Sequence, residues 1–429
     1  MSWMPTALVR VGNWMTLCLT PPMRLLDLTR FPMCLRRIRT AHTAWINWQG
    51  AKDPADPDGL YGQRIFTVAR GTDRFLTLSP HMRNPDKTDD RGGILDGVWE
   101  KEGRHKLIPV AKSTELLFVN ETGWKQFRSA TGLSDDVLNT WEGLVSAAEE
   151  YYRWSGGQPL LGMNSFNDFA VLTAVQDGAD PFPADGENHS FVYSRETARK
   201  AWNAYYVPHI NGWYKSSVYN QDGLKSGSLL AYIGSSAGAG YFPKEVIVDG
   251  ENQYPIECGV RPYPTFEGGS GYMAQRGADM GIFRSSETSE YAAAEFLKWF
   301  TDPERNIEFT ASIGYIPVEN EALSSIEALE NFIQMSDNTD AVKKSVTAAL
   351  EAMQEGKFYV RRPFENSYEA NERFSRSLER KVELDMNELH NRVENGEDRQ
   401  TVISGFMEDE NFDKWYQDLM REMVGEVNE

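Results

Sequence analysis

Histidine and cysteine are too sparse in this chain, and too scattered, to build a metal centre or a disulfide framework. Cys18, Cys34 and Cys258 have no ligand spacing and form no even set. His42, His81, His105, His189, His209 and His390 each stand alone, with no H-x-x-x-H pair and no cysteine neighbour, so neither a metal nor any other cofactor is expected. No apolar run approaches the roughly twenty residues a membrane-spanning helix needs. Basic side chains are outnumbered, 44 Lys and Arg against 63 Asp and Glu, and the net charge of −19 excludes nucleic acid and anionic membrane as partners, because phosphate binding requires clustered positive charge. Repeats and low-complexity tracts are absent too. What remains is a globular chain of 429 residues, 41% hydrophobic, with twelve Trp and eighteen Tyr. That length suggests two or three domains, and those aromatics can furnish both a core and a ligand groove.

The opening differs in composition from the rest. Residues 1–75 hold nine Arg and one Lys against five Asp and no Glu; the first glutamate is Glu100. Hydrophobic periodicity there is poor. Arg10, Gly12 and Asn13 interrupt the single candidate for a secretory apolar run. The expectation is an anomalous segment arising from a misread start rather than a divergent first domain.

Beyond residue 75 the pattern is orderly. Residues 106–120, KLIPVAKSTELLFVN, read as two short strands meeting between Pro109 and Thr114. Thr140 caps a helix running to about Trp154. Residues 276–318 read as a buried strand (280–283), a start capped by Ser285 or Ser286, and a helix packed through Ala293, Phe296, Leu297 and Phe300. Thr301 and Asp302 then cap a second helix with Pro303 in its first turn, which Gly314 stops and Pro317 keeps from restarting. Further helices are expected at 340–354, about 368–393 and 410–424, with the charge-rich stretch 375–395 as a solvated face.

One motif suggests catalysis. Gly234-Ser235-Ser236-Ala237-Gly238 matches G-x-S-x-G after a strand placed at 229–233, so an α/β hydrolase with Ser236 as nucleophile is the alternative reading. The one histidine later in the chain is His390, on a polar helix, and Gly240, Tyr241 and Pro243 interrupt the helix such a nucleophile needs. Asp135-Asp136 and Glu149-Glu150 read as solvated helix-start or helix-face pairs. No catalytic residue is expected. As a strand-end loop of small residues, Ser235-Ser236 suits hydrogen bonding to a ligand.

Several segments in a fixed order resemble the extracellular solute-binding proteins of family 1, the carbohydrate-binding components of ABC importers. They are KLIPVAKSTELLFVN, the helix start TWEGL at Thr140, the strand KSGSLLAYIGSS, the crossing RPYPTFEGGS, and FLKWFTDPE followed by GYIPV. The resemblance covers about residues 76–425 and implies an α/β, two-lobed periplasmic-binding-protein type II fold with discontinuous lobes and hinge crossings. Lobe one would hold 76–111 and 264–312, and lobe two 115–261 and 316–429. It implies a binding protein rather than an enzyme. A sugar or oligosaccharide would be held in an interlobe cleft and passed to permease subunits by a monomer outside the cytoplasm, whether in the periplasm or as a lipoprotein at the cell surface; a ligand sensor could share the fold. Sugar faces need aromatic cover and sugar rims need directional hydrogen bonds. The residues expected at the site are Ser113 and Thr114, Asn164 and Asp168, Trp213, Ser235 and Ser236, Gly269, Tyr315 and Arg361.

Overall fold

The computed structural model describes residues 7–10, 16–19, 43–47, 100–101, 104–105, 107–163, 167–185, 188–216, 220–248, 252–282, 287–318, 340–355, 358–359 and 367–427. The chain divides into two compact units. One holds 1–112, 276–337 and 360–362; the other holds 113–275, 338–359 and 363–429.

In the first unit, Arg276–Ile282 is the middle of three strands, between Thr43–Asn47 and Leu107–Ser113. Thr43–Asn47 runs antiparallel to it, Ala278 opposite Asn47 and Ile282 opposite Thr43, so part of the compositionally odd opening supplies a paired strand. Gly277 sits at φ 152°, and a Cβ there would lie 2.1 Å from the Ala111 carbonyl oxygen, an approach no other residue permits. Glu287–Phe300 packs Ala293, Leu297 and Phe300 with Ile108, Val110 and Met280, and Phe296 leans on the same cluster. The second helix is Pro303–Ile313, followed by Gly314 at φ 76°. From its buried face Asn306 donates to the Val110 carbonyl at 2.8 Å and accepts from the Val318 N–H at 3.0 Å. Lys112 and Ile316 exchange both backbone hydrogen bonds, at 2.9 and 2.7 Å. These bonds keep residues 316–318 in this unit, where the sequence reading assigned them to lobe two. The expected caps Ser285 and Ser286 lie outside the described residues.

The second unit is built on five strands: β1 (Glu115–Asn120), β2 (Leu161–Gly162), β3 (Tyr214–Lys215), β4 (Ala231–Ser235) and β5 (Cys258–Pro262). Their order is β3-β2-β4-β1-β5. β3, β2 and β4 are parallel, while β1 is antiparallel to both its neighbours. All six β1 residues are buried, as expected for a strand covered on both faces. The break before β1 falls at Thr114, and Pro109 lies inside the preceding strand. Asn120 and Thr140 cap the helices Glu121–Thr131 and Trp141–Trp154, each accepting the third N–H onward at 3.1 Å.

Residues 263–275 stay with this unit, although the sequence reading had the chain leaving it at 264. Tyr263, Phe266, Met273 and Ala274 enter its core. The buried amide of Gln176 donates to the carbonyls of Pro264 and Tyr272 and accepts from the Phe266 N–H. A second correction concerns helix Ser367–Glu394. It is not a solvated face, because Ala370, Phe374, Leu378, Val382, Asp385 and Leu389 form a buried stripe at helical spacing beneath its charges. Asp385 is anchored there by the Tyr206 hydroxyl, by Lys381 at 2.7 Å and by Asn411. The helices Asp340–Glu355 and Asp409–Val427 occur within a few residues of expectation, and Arg399–Phe406 is an additional one.

His209 is buried in this core at 4% exposure, and burial lowers its pKa to about 4 despite the opposing hydrogen bond to the Tyr205 carbonyl. An unfolded chain takes up the proton near pH 6.5, so stability supported by neutral His209 is fully present above that pH. It declines as pH falls through 6.5 toward 4, by about 3 kcal/mol at most. Urea midpoints measured between pH 7 and 5, above most carboxylate titrations, are expected to fall in the native chain and to vary less in His209→Gln. Gly162 supplies a second expectation: a Cβ there would lie 2.6 Å from Asn220 Oδ1 and 2.7 Å from Leu229 Cδ1. Gly162→Ala is expected to lose about 1–3 kcal/mol by denaturant titration through overpacking.

Candidate functional site

Four strands of the second unit point the same way, so their carboxyl ends share one edge with the start of β1. Ligands of open α/β sheets collect at such edges, where backbone groups are unpaired and helices begin. Here the edge carries Thr114 ahead of β1, Met163 after β2, Ser216 after β3, Ser235 and Ser236 at the end of β4, and Tyr263 after β5.

Thr114 and Ser236 are joined. The Ser236 N–H donates to the Thr114 carbonyl at 2.8 Å, and the Thr114 N–H donates to Ser236 Oγ at 3.3 Å. Thr114 Oγ1 donates to the Ala274 carbonyl at 2.9 Å, and Ser345 Oγ donates to the Ser236 carbonyl at 3.1 Å. Ser236 is fully buried, and its hydroxyl serves as an acceptor for backbone. Ser235 is half-buried beside it and accepts the Ala237 N–H at 3.3 Å, capping a 3-10 turn (Ser236–Tyr241). Ser113 is buried next to Thr114, its hydroxyl without a hydrogen-bond partner.

The other expected residues are dispersed. Asp168 is half-buried in the first turn of Asn167–Gln176, whereas Gly269 meets the Gln176 carbonyl at the other end of that helix, about 12 Å away. Trp213 precedes β3: its carbonyl accepts from Leu160 at 2.9 Å and its N–H donates to Pro208 at 2.8 Å. That places it where the parallel strands begin, at the sheet edge opposite Ser235, half-buried against the core. Trp213 fails to join the cluster because the turn at Gly212, in the left-handed region at φ 83°, leads into β3 rather than out of it. Tyr315 belongs to the first unit, half-exposed, its N–H bonded to the Thr310 carbonyl at 3.0 Å. Asn164 and Arg361 lie outside the described residues.

One constellation went unread in the sequence. His209 Nδ1 lies 2.6 Å from the Tyr205 carbonyl, and its Nε2 lies 3.2 Å from Ser216 Oγ. No short motif marks it; the only signal is an H-x6-S spacing spanning a helix end, a turn and a two-residue strand.

Among the described side chains, no histidine is placed to form a triad with Ser236 of the G-x-S-x-G motif. His209 is committed to Tyr205 and Ser216, and exposed His390 pairs with Glu394 on its own helix at 3.1 Å. Asp135 is structural. Burial would raise its pKa, but hydrogen bonds from Trp124 and Arg261 and the charges of Arg261 and Arg128 outweigh that and lower it. Burial pushes the Cys258 thiol up to about 12, so it is no nucleophile. Among the described residues no group of His, Cys, Asp and Glu could hold a metal ion, and no helix is long and apolar enough to cross a membrane.

The profile of a family described as "Bacterial extracellular solute-binding protein" matches residues 68–334. No curated protein matches the chain. Solved structures share its fold at low identity. The cyclic alpha-maltosyl-1,6-maltose binding protein of Arthrobacter globiformis is 16% identical with a TM-score of 0.63, over 90% of this chain and 83% of that one. The sugar-binding protein MalE of Xanthomonas citri is 16% identical with a TM-score of 0.58, over 86% and 88%. UgpB of Mycobacterium tuberculosis, in complex with glycerophosphocholine, is 17% identical with a TM-score of 0.56, over 89% and 84%. The fold is therefore the α/β, two-lobed periplasmic-binding-protein type. With more than half its length matched by the family profile, the chain belongs to the bacterial extracellular solute-binding proteins.

Proposed function

We propose that this protein captures a sugar or oligosaccharide outside the cytoplasm and, acting as a monomer, delivers it to the permease of an ABC importer without making or breaking a bond. The observation that carries this reading is the hydroxyl-bearing strand edge of the second unit, where Ser235 and Ser216 stand on the edge held in shape by the buried Thr114–Ser236 pair, in a chain of solute-binding ancestry. Hydroxyls at strand ends can satisfy a sugar rim, and a ligand lacking a matching hydroxyl leaves one of them unpaired, which is the source of selectivity. Two of the structural relatives are described as sugar-binding, which supports a saccharide over other solutes. UgpB, crystallised with glycerophosphocholine, makes a glycerol phosphodiester the competing ligand class. Ser235 and Asp168, together with Asn164, are the proposed contacts from this unit. Trp213 is left out because of its position. Ser236 contributes by holding the edge in shape: buried and hydrogen-bonded to Thr114, it has no route to a substrate carbonyl.

Isothermal titration with glucose, maltose, maltotetraose and glycerophosphocholine, with chromatography of each mixture after prolonged incubation, tests this directly. A saccharide is expected to bind while every ligand is recovered intact. Ser235→Ala is expected to weaken binding by about 1 kcal/mol, the worth of one hydrogen bond, with folding unchanged. Turnover that vanishes in Ser236→Ala would transfer the argument to the hydrolase.

A further inference from the structure

Ser216 follows β3 on the edge that carries Ser235, and its side chain is exposed. Beneath it lies a buried group, the His209 imidazole, whose proton position can be deduced. The Tyr205 carbonyl can only accept, so the His209 nitrogen 2.6 Å from it, Nδ1, carries the ring proton. His209 is buried and neutral, which leaves Nε2 as a bare acceptor. The hydrogen bond between Nε2 and Ser216 must then use the proton of the serine hydroxyl. The order is fixed: Ser216 O–H to His209 Nε2, and His209 Nδ1–H to the Tyr205 carbonyl. A hydroxyl owns one proton and two lone pairs, and this chain of bonds consumes the proton.

We infer that Ser216 is a specificity-determining residue whose free lone pairs face the ligand, so that it accepts from a sugar hydroxyl and rejects the acceptor-only oxygens of a phosphate. This rests on the saccharide reading above and sharpens it. His209 is a positioning residue, because it acts only through the serine. An ordinary exposed serine rotates its proton to suit either a donor or an acceptor, and this one cannot. The strand register adds a length. Gly162 pairs with both Lys215 and Tyr232, so Ser216 is level with Ile233, two strands over and two residues short of Ser235. Strand spacing and rise make that separation about 12 Å. A ligand touching both serines is longer than one sugar ring, which points to an oligosaccharide.

The test uses the full chain, uniformly labelled with 15N-histidine, titrated with glucose, maltotetraose and glycerophosphocholine. The His209 resonances of the free protein are expected to report the Nδ1–H tautomer. Maltotetraose is expected to shift the Nε2 resonance in the native chain. Ser216→Ala is expected to bind maltotetraose about tenfold more weakly, to show no such Nε2 shift and to unfold at the same urea concentration within error. Ser216→Thr, which keeps the hydroxyl, is expected to recover most of the affinity. A serine that merely satisfies a buried histidine would leave affinity unchanged in Ser216→Ala; that result, an Nε2–H tautomer, or preferential binding of glycerophosphocholine overturns the inference while leaving solute binding intact. A native chain that binds neither saccharide overturns the saccharide reading, and the Ser216 assignment with it.

Discussion

Everything described in the second unit hangs on one reversed strand. β1 is hydrogen-bonded along both sides, to β4 through Val119–Ala231 to Glu115–Ser235 and to β5 through Asn120–Cys258 to Leu116–Pro262. It alone runs against the other four strands, so its beginning, rather than its end, meets their carboxyl ends. That brings Thr114 against Ser236 and makes the edge a closed set of backbone and hydroxyl bonds instead of a row of free amides. A one-residue slip would exchange the two faces of β1 and break the Thr114–Ser236 pairing. Buried aromatics oppose such a slip, since Phe118 stacks on Tyr232 at 4.9 Å and 9° across the same pairing.

Sequence signals were most legible where the backbone itself needs a particular side chain. The cap Thr140, the stop at Gly314 and the Pro303 helix start fall where their chemistry places them, because an exposed helix end has few other ways to satisfy its N–H groups or to turn. The fold class was legible through such local signals occurring in a fixed order. Tertiary burial was not. The helix at 367–394 is so rich in charge that its stripe of Leu378, Val382 and Leu389 reads as surface, although the helical spacing is present. The assignment of 263–275 turned on the Gln176 amide, whose three bonds reach residues about ninety positions away.

The candidate site was legible only in part, for a related reason. Ser235, Ser236 and Thr114 sit beside strand ends that hydrophobic runs announce, and the sheet gathers them. Trp213 stands out in the sequence by its residue type and its turn. A residue's end of the sheet depends on whether its turn precedes or follows a strand, and β3, only two residues long, is too short to announce itself. The same short strand concealed Ser216. Its importance comes from His209 and Tyr205, which belong to the preceding helical segment and look like ordinary core aromatics.

Binding without chemistry places a different demand on buried polar groups than catalysis does. A nucleophilic serine needs an acceptor that takes its proton and becomes charged, and burial of His209, which lowers its pKa to about 4, opposes that charge. The same burial serves recognition, because a histidine that stays neutral keeps its tautomer and holds the serine proton in one direction. The Ser216–His209 pair thus resembles half of a catalytic dyad while its surroundings favour the resting arrangement. A hydroxyl with fixed polarity pre-organises one hydrogen bond and excludes its opposite, and selectivity of that kind needs no moving part.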